Sequence, residues 1–253
     1  GGVGNRAKVE VGLGPRTVSM SKDQPKPTTL TPEGAVLLCW SCQAPVGGDA
    51  FCRSCMKIQP PAQEDYYLAL GLDRKLALAA GDLETRFHEM SWKLHPDNFH
   101  KASVLERTLS LKQSSILNDA YRTLRDPVAR TEYLLRIEGA RREGAKKQQA
   151  PQDLLEEVFA LNEFLDEMRM EKRAGHAVPE ELAGRLKEAK KNFEAKLKKL
   201  DDELTATFGI WDALPAGAAA EAKKPVLDRL NAILNRRSYI RNLLEDVQEV
   251  MEV

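Results

Sequence analysis

The stretch Leu83-Glu84-Thr85-Arg86-Phe87-His88-Glu89-Met90-Ser91-Trp92-Lys93-Leu94-His95-Pro96-Asp97 decides how this chain is read. Its apolar residues Leu83, Phe87, Met90 and Leu94 recur at spacings of four, three and four, which puts them on one side of a helix. Asp82 suits the N-cap of that helix. Pro96 cannot continue a helix and disfavours helical backbone at the residue before it, so the helix is expected to stop at His95 and leave His95 and Asp97 on a loop. Arg86 and Lys93 are seven positions apart, on one helix face, where they can meet an acidic patch. His95 and Asp97 as a general acid and base pair would need a nucleophile, a glycine loop or a third orienting group, and none accompanies them. Trp92 and His88 read as packing or surface residues.

A second helical pattern follows, with Leu105, Leu109, Ser115, Ile116, Ala120, Tyr121 and Leu124 as its stripe and Asp126-Pro127 as its stop. Upstream, Asp65-Tyr66-Tyr67-Leu68-Ala69-Leu70-Gly71-Leu72 reads as a short helix closed by Gly71. Short helix, long helix, His-Pro-Asp loop and long helix, in that order, resemble the J-domain family. The resemblance implies docking on a DnaK-type chaperone and stimulation of its ATP hydrolysis. His95, Pro96 and Asp97 would form the contact, supported by Arg86 and Lys93.

The chain has 253 residues, long for one core, and its 38 basic and 38 acidic side chains cancel, giving no general pull toward nucleic acid or anionic membrane. No apolar run approaches the roughly 20 residues that span a bilayer, and no charged-then-apolar signal opens the chain. A soluble, non-secreted, mostly α-helical protein is expected. Residues 1–33 lack periodicity and read as a disordered tail in which Met20 is a candidate start. Residues 139–151, rich in Arg, Lys, Gln and Gly, read as a linker.

All four cysteines fall in two CxxC turns, Cys39-Trp40-Ser41-Cys42 and Cys52-Arg53-Ser54-Cys55, separated by nine residues that include Gly47 and Gly48. This is a tetrathiolate pattern. One structural zinc ion is the favoured occupant of this module, residues 34–60. Iron is second on geometry, and redox or disulfide chemistry is last, for want of an oxidising compartment or a βαβ context. A segment this small has no hydrophobic core of its own, so metal binding would supply most of its folding free energy, on the order of 10 kcal/mol. With few basic residues (Arg53, Lys57), it is better suited to a small cap or a weak dimerising element than to nucleic acid.

From residue 152 onward three helical seams suggest a three-helix bundle: Leu154, Val158, Leu161, Leu165 and Met168; then Leu182, Leu186, Ala189, Phe193, Leu197, Leu200 and Leu204, opened by Pro179; then Val226, Leu230, Ile233, Arg237, Ile240, Leu244, Val247 and Met251, opened by Pro225. On the first of these helices Leu155, Phe159 and Met170 form a separate stripe mixed with Glu163 and Asp166. That stripe either binds a partner or packs on the hairpin or the third helix.

The segments Asp126-Pro127-Val128-Ala129-Arg130-Thr131-Glu132-Tyr133-Leu134-Leu135, Leu154-Leu155-Glu156-Glu157-Val158-Phe159-Ala160-Leu161-Asn162-Glu163 and Arg237-Ser238-Tyr239-Ile240-Arg241-Asn242-Leu243 resemble the HscB family of J-type co-chaperones in iron-sulfur cluster biogenesis. The double CxxC with Trp40 inside is similar to a variant of that family. The resemblance covers about residues 63 to 250. It implies a J-domain over 63–138 and a scaffold-binding bundle over 152–253. Leu155, Phe159, Glu163, Glu167 and Tyr239 would contact an IscU-type scaffold. Glu156 and Ala160 depart from the family pattern. The implied activity is an adaptor's, with no bond change and no nucleotide bound directly, in a bacterial cytoplasm or a mitochondrial matrix. The competing readings are a general J-protein for unfolded clients and a zinc-ribbon regulator that binds nucleic acid.

Overall fold

The computed structural model describes residues 37–61, 65–141 and 152–252. The expected tail over 1–33 lies outside them, as does the expected linker apart from residues 139–141. Asp65 opens the first helix, α1 (Tyr66–Ala69), by accepting the Tyr67 N–H at 2.9 Å. Gly71, at φ +62°, turns the chain out of it in the left-handed conformation that glycine adopts without strain. Helix α2 (Ala80–Leu94) starts earlier than its apolar pattern suggests. Ala79, without any side-chain bond, is its N-cap. Asp82 sits inside the first turn, where its charge still favours the positive end of the helix.

A short 3₁₀ turn (Pro96–Phe99) leads to α3 (Val104–Arg125), which opens with a capping box between Ser103 and Glu106. Leu109, Ile116, Leu117, Ala120 and Leu124 are buried as one face. Leu105 and Ser115 are exposed, against expectation. At 100° per residue Ser115 points away from that face, and Leu105 lies at its edge. Asp126-Pro127 does end α3, but it also starts α4 (Pro127–Ile137), a helix the apolar pattern did not announce. Asp126 accepts the Ala129 N–H at 2.7 Å, and Pro127 takes the first helical position.

The remaining helices form the expected bundle: α5 (Leu155–Arg173), α6 (Glu180–Asp212) and α7 (Ala220–Glu252). All five seam residues of the first pattern are buried. Pro179 is the N-cap of α6. Helix α7 starts at Ala220, ahead of Pro225, which lies inside it. There the proline removes the bond its own N–H would make to the carbonyl four residues back and crowds that carbonyl, with little more than one turn of helix ahead of it. Lys172 Nζ donates to the Val250 carbonyl at 2.7 Å, and Asp153 pairs with Arg236, so α5 and α7 run parallel with α6 antiparallel between them in sequence.

With 33 residues each, α6 and α7 are about 50 Å long, against about 28 Å for the 19 residues of α5. The overshooting ends hold the loop between α1 and α2 and also α4, and α1 and α4 in turn pack on α3 of the hairpin formed by α2 and α3. Trp211 Nε1 donates to the Arg74 carbonyl at 3.0 Å, and the Asp212 carboxylate accepts the N–H groups of Leu76 and Ala77 at 2.7 and 2.8 Å. Lys223 donates to Glu138 at 2.9 Å, and the buried Arg130 guanidinium lies over the Phe208 ring. One continuous core runs from Ile58 and Tyr67 through Leu134 to Leu230 and Val250. Ile58 belongs to the cysteine module, so that module shares the core of the helices rather than standing without one.

Candidate functional site

The two cysteine turns have the same construction. Each carries an antiparallel bridge, Leu38 with Pro45 and Phe51 with Ile58. In each, the residue after the second cysteine closes the turn onto the first: Gln43 N donates to the Cys39 carbonyl at 3.0 Å and Met56 N to the Cys52 carbonyl at 2.8 Å. Gln43 and Met56 both take positive φ, 60° and 58°, which curls each turn so that its two sulfurs face inward. The four Sγ atoms lie within 4.8 Å of one another, with Cys39–Cys55 at 3.6 Å and Cys42–Cys52 at 3.7 Å. A tetrahedral shell with metal–sulfur bonds of about 2.3 Å has edges of about 3.8 Å, close to these two separations, so the four sulfurs are gathered at the scale of such a shell.

Electrostatics point the same way. Burial opposes ionisation of Cys39, but the N–H groups of Cys42 and Ser41 outweigh it and hold its thiol at about 6. Cys42 receives a favourable hydrogen bond from the Ala44 amide, yet loss of solvent and the three neighbouring sulfurs push it up to about 12. Four thiols in this space cannot all ionise unaided, and a divalent cation that replaces their protons relieves the conflict. The group can hold a metal ion.

The His-Pro-Asp corner is displayed as expected. His95 caps the C-terminal end of α2, and its Nδ1 accepts the Asp97 N–H at 3.3 Å. The side chains of His95 and Asp97 are 55% and 88% exposed, so neither is committed to the core. Asn98 braces the corner by donating from Nδ2 to the Trp92 carbonyl at 2.6 Å. Trp92 and His88 are on the surface. Arg86 and Lys93 are exposed, but Arg86 Nη1 also donates to the Gly71 carbonyl at 3.0 Å and so ties α2 to the end of α1.

On α5, Phe159 and Met170 are each 69% exposed, so the stripe does not pack on the hairpin or on α7 at these positions. Leu155 is half-buried; Glu163, Asp166 and Glu167 are exposed around it. Tyr239 is half-buried on α7, one turn beyond the Arg236 that pairs with Asp153 at the start of α5. The structure thus brings Tyr239 to the Leu155 end of the helix and leaves Met170 at the other end. Sequence reasoning missed Gln59, Asn98 and Asp212, whose partners are backbone groups or sulfurs that no local pattern announces. Glu106 was missed too, although its Ser-x-x-Glu spacing from Ser103 is a readable signal.

An exposed His-Pro-Asp corner on a two-helix hairpin, carried by a helical bundle, defines a J-type co-chaperone architecture. No family model matches the chain. It is 29% identical over 215 residues to the iron-sulfur cluster co-chaperone protein HscB of Homo sapiens, spanning 83% of this chain and 80% of that protein. The corresponding Mus musculus protein is 26% identical over 215 residues. The co-chaperone protein HscB homolog of Bordetella avium is 32% identical over 141 residues, 56% of this chain and 82% of that one. The crystal structure of human HscB superposes with a TM-score of 0.59 at 26% identity, covering 84% of this chain and 97% of that one. The chain belongs to the HscB family of co-chaperones.

Proposed function

We propose that this chain is an adaptor which carries an IscU-type iron-sulfur scaffold to a DnaK/HscA-type chaperone. Leu155, Phe159, Glu163, Glu167 and Tyr239 hold the scaffold. His95, Pro96 and Asp97, with Arg86 and Lys93, dock on the chaperone and stimulate its ATP hydrolysis, which traps the scaffold and favours cluster release. The observation that carries this reading is the acid-edged stripe of α5, where two large apolar side chains are left to solvent on an element separate from the exposed corner. Acids around an apolar stripe suit a partner with an apolar patch and a basic rim. The chain makes and breaks no covalent bond and binds no nucleotide; it works by juxtaposing two proteins.

The working units are the cysteine module (34–60), the J-domain (63–138) and the bundle (152–253), joined by residues 139–151. Cys39, Cys42, Cys52 and Cys55 hold one zinc ion, which supplies a fixed tetrahedral centre and no reactivity. Among the described residues no helix is long and apolar enough to cross a membrane. The place proposed for the chain, from its family, is a bacterial cytoplasm or a mitochondrial matrix.

The test is ATP turnover by a DnaK-type chaperone with the chain alone and with the scaffold added. Synergy between chain and scaffold is expected. His95→Gln should abolish stimulation in both conditions, whereas Phe159→Ala should remove only the synergy and weaken scaffold binding by roughly 30-fold, the loss typical of an aromatic anchor. Full stimulation by the His95→Gln protein would overturn the chaperone contact. Unaltered scaffold capture by the Phe159→Ala protein, or equal stimulation by arbitrary unfolded polypeptides, would overturn the specific delivery role.

A further inference from the structure

The cysteine module is tied to the hairpin by two polar straps, and one of them begins at a metal-ligand sulfur. Gln59 is only 2% exposed. Its Nε2 donates to Cys39 Sγ at 3.3 Å and to the Lys57 carbonyl at 2.8 Å, while its Oε1 accepts the Trp40 N–H at 3.4 Å. A thiolate and a carbonyl only accept, so the amide has one orientation that satisfies all three. The carbonyl of the same residue accepts a hydrogen bond at 3.0 Å from the buried Gln113 side chain on α3. One turn back along α3, Ser110 Oγ donates to the Leu94 carbonyl at 2.7 Å, and Ser114 Oγ donates to the same oxygen at 3.0 Å. Leu94 immediately precedes His95. The second strap is Lys57 Nζ to Glu106 at 2.7 Å, and Glu106 is the carboxylate that closes the capping box of α3.

We propose that Gln59 is a positioning residue which couples metal binding by the four cysteines to the order of α3 and, through it, to the His-Pro-Asp corner. The proposal rests on the reading that the cysteines hold a divalent ion. A metal-bound Cys39 is a lasting anionic acceptor for Gln59, and a hydrogen bond to a charged acceptor is stronger than one to a thiol. The ion thereby favours the conformation in which the Gln59 carbonyl and Lys57 meet α3. Linkage is reciprocal: whatever orders the start of α3 tightens the hold on the ion. The coupling runs through contiguous contacts that two variants break separately, one at each end.

The experiment uses the full chain loaded with zinc or cobalt, with metal retention measured by competition against a chromophoric chelator. Gln113→Leu touches no cysteine, yet it should weaken retention about five-fold, the scale of one net hydrogen bond. Gln59→Glu should weaken retention further and shift the sulfur-to-cobalt charge-transfer band, which Gln113→Leu leaves in place. In the unaltered chain, chelation should remove amide-exchange protection from residues 103–113 as well as from the cysteine module. Unchanged retention in a folded Gln113→Leu protein would overturn the coupling. So would a loss of protection confined to residues 37–61, and this second measurement stands even where the variants fold poorly. Failure of the unaltered chain to take up any divalent metal would overturn the metal reading itself and the coupling with it.

Discussion

Glu106 is buried, yet all of its carboxylate contacts are made by three groups close at hand. Its Oε2 accepts from the Ser103 amide and hydroxyl at 3.2 and 2.8 Å, and its Oε1 from Lys57. The Lys57 ammonium, aided by Ser103 and opposed by burial, holds the carboxyl below its usual range. A carboxylate whose folded pKa is depressed contributes stability that is fully present above its unfolded pKa, about 4.3, and is lost as pH falls through the lower folded value. Glu106→Gln keeps an acceptor for the cap but loses the charge that pairs with Lys57, and is therefore expected to cost about 1 kcal/mol in urea unfolding at pH 7. The gap between the two proteins should close as the pH falls below about 4. Ser103 and Glu106 are three residues apart and can be recognised as a pair in the sequence. Lys57 lies 49 residues upstream and cannot, because the fold alone brings it there.

The helices differ in how plainly the chain announces them, and the difference is physical. The seam Leu154, Val158, Leu161, Leu165 and Met168 was legible in full because α5 buries a single face against one pair of neighbours. Helix α4 was not, because it is packed on several sides: Arg130, Thr131, Tyr133, Leu134 and Leu135 are all buried, so no apolar and polar faces alternate. What does mark it is Asp126-Pro127, which signals a start as clearly as a stop. Asp126→Ala should destabilise the protein by about 1 kcal/mol through loss of the N-cap bond to Ala129, measured as a shift in the urea midpoint with an unchanged slope. The corner was legible because Pro96 ends α2 whatever the tertiary context. The outward stripe on α5 was legible as a pattern only, since periodicity places Phe159 and Met170 together but does not say that nothing covers them.

At the scale of the molecule, the proposed adaptor role would draw on a fixed relation between the corner and the stripe. The overshoot of α6 and α7 supports it through the Trp211 and Asp212 contacts to the loop between α1 and α2 and the Lys223 contact to Glu138 at the end of α4. Asp212→Ala leaves the Leu76 and Ala77 amides without their carboxylate and is expected to cost about 1–2 kcal/mol. Small-angle scattering should show a broadened distance distribution for that variant. Scaffold-independent ATPase stimulation should survive, because the corner itself is untouched, while the synergy with scaffold falls. A variant with intact synergy and an unchanged scattering curve would show that the shared core alone fixes the geometry.

The Asp212 clamp also sets an order of events at the ribosome. The amides of Leu76 and Ala77 emerge 136 and 135 residues before the side chain that captures them. At roughly 5–20 residues per second, the nascent chain spends on the order of ten seconds with the loop between α1 and α2 untethered. Ribosome-stalled chains that end short of Asp212 should accordingly be nicked by protease between residues 73 and 79, and chains long enough to expose the completed α6 outside the exit tunnel should resist.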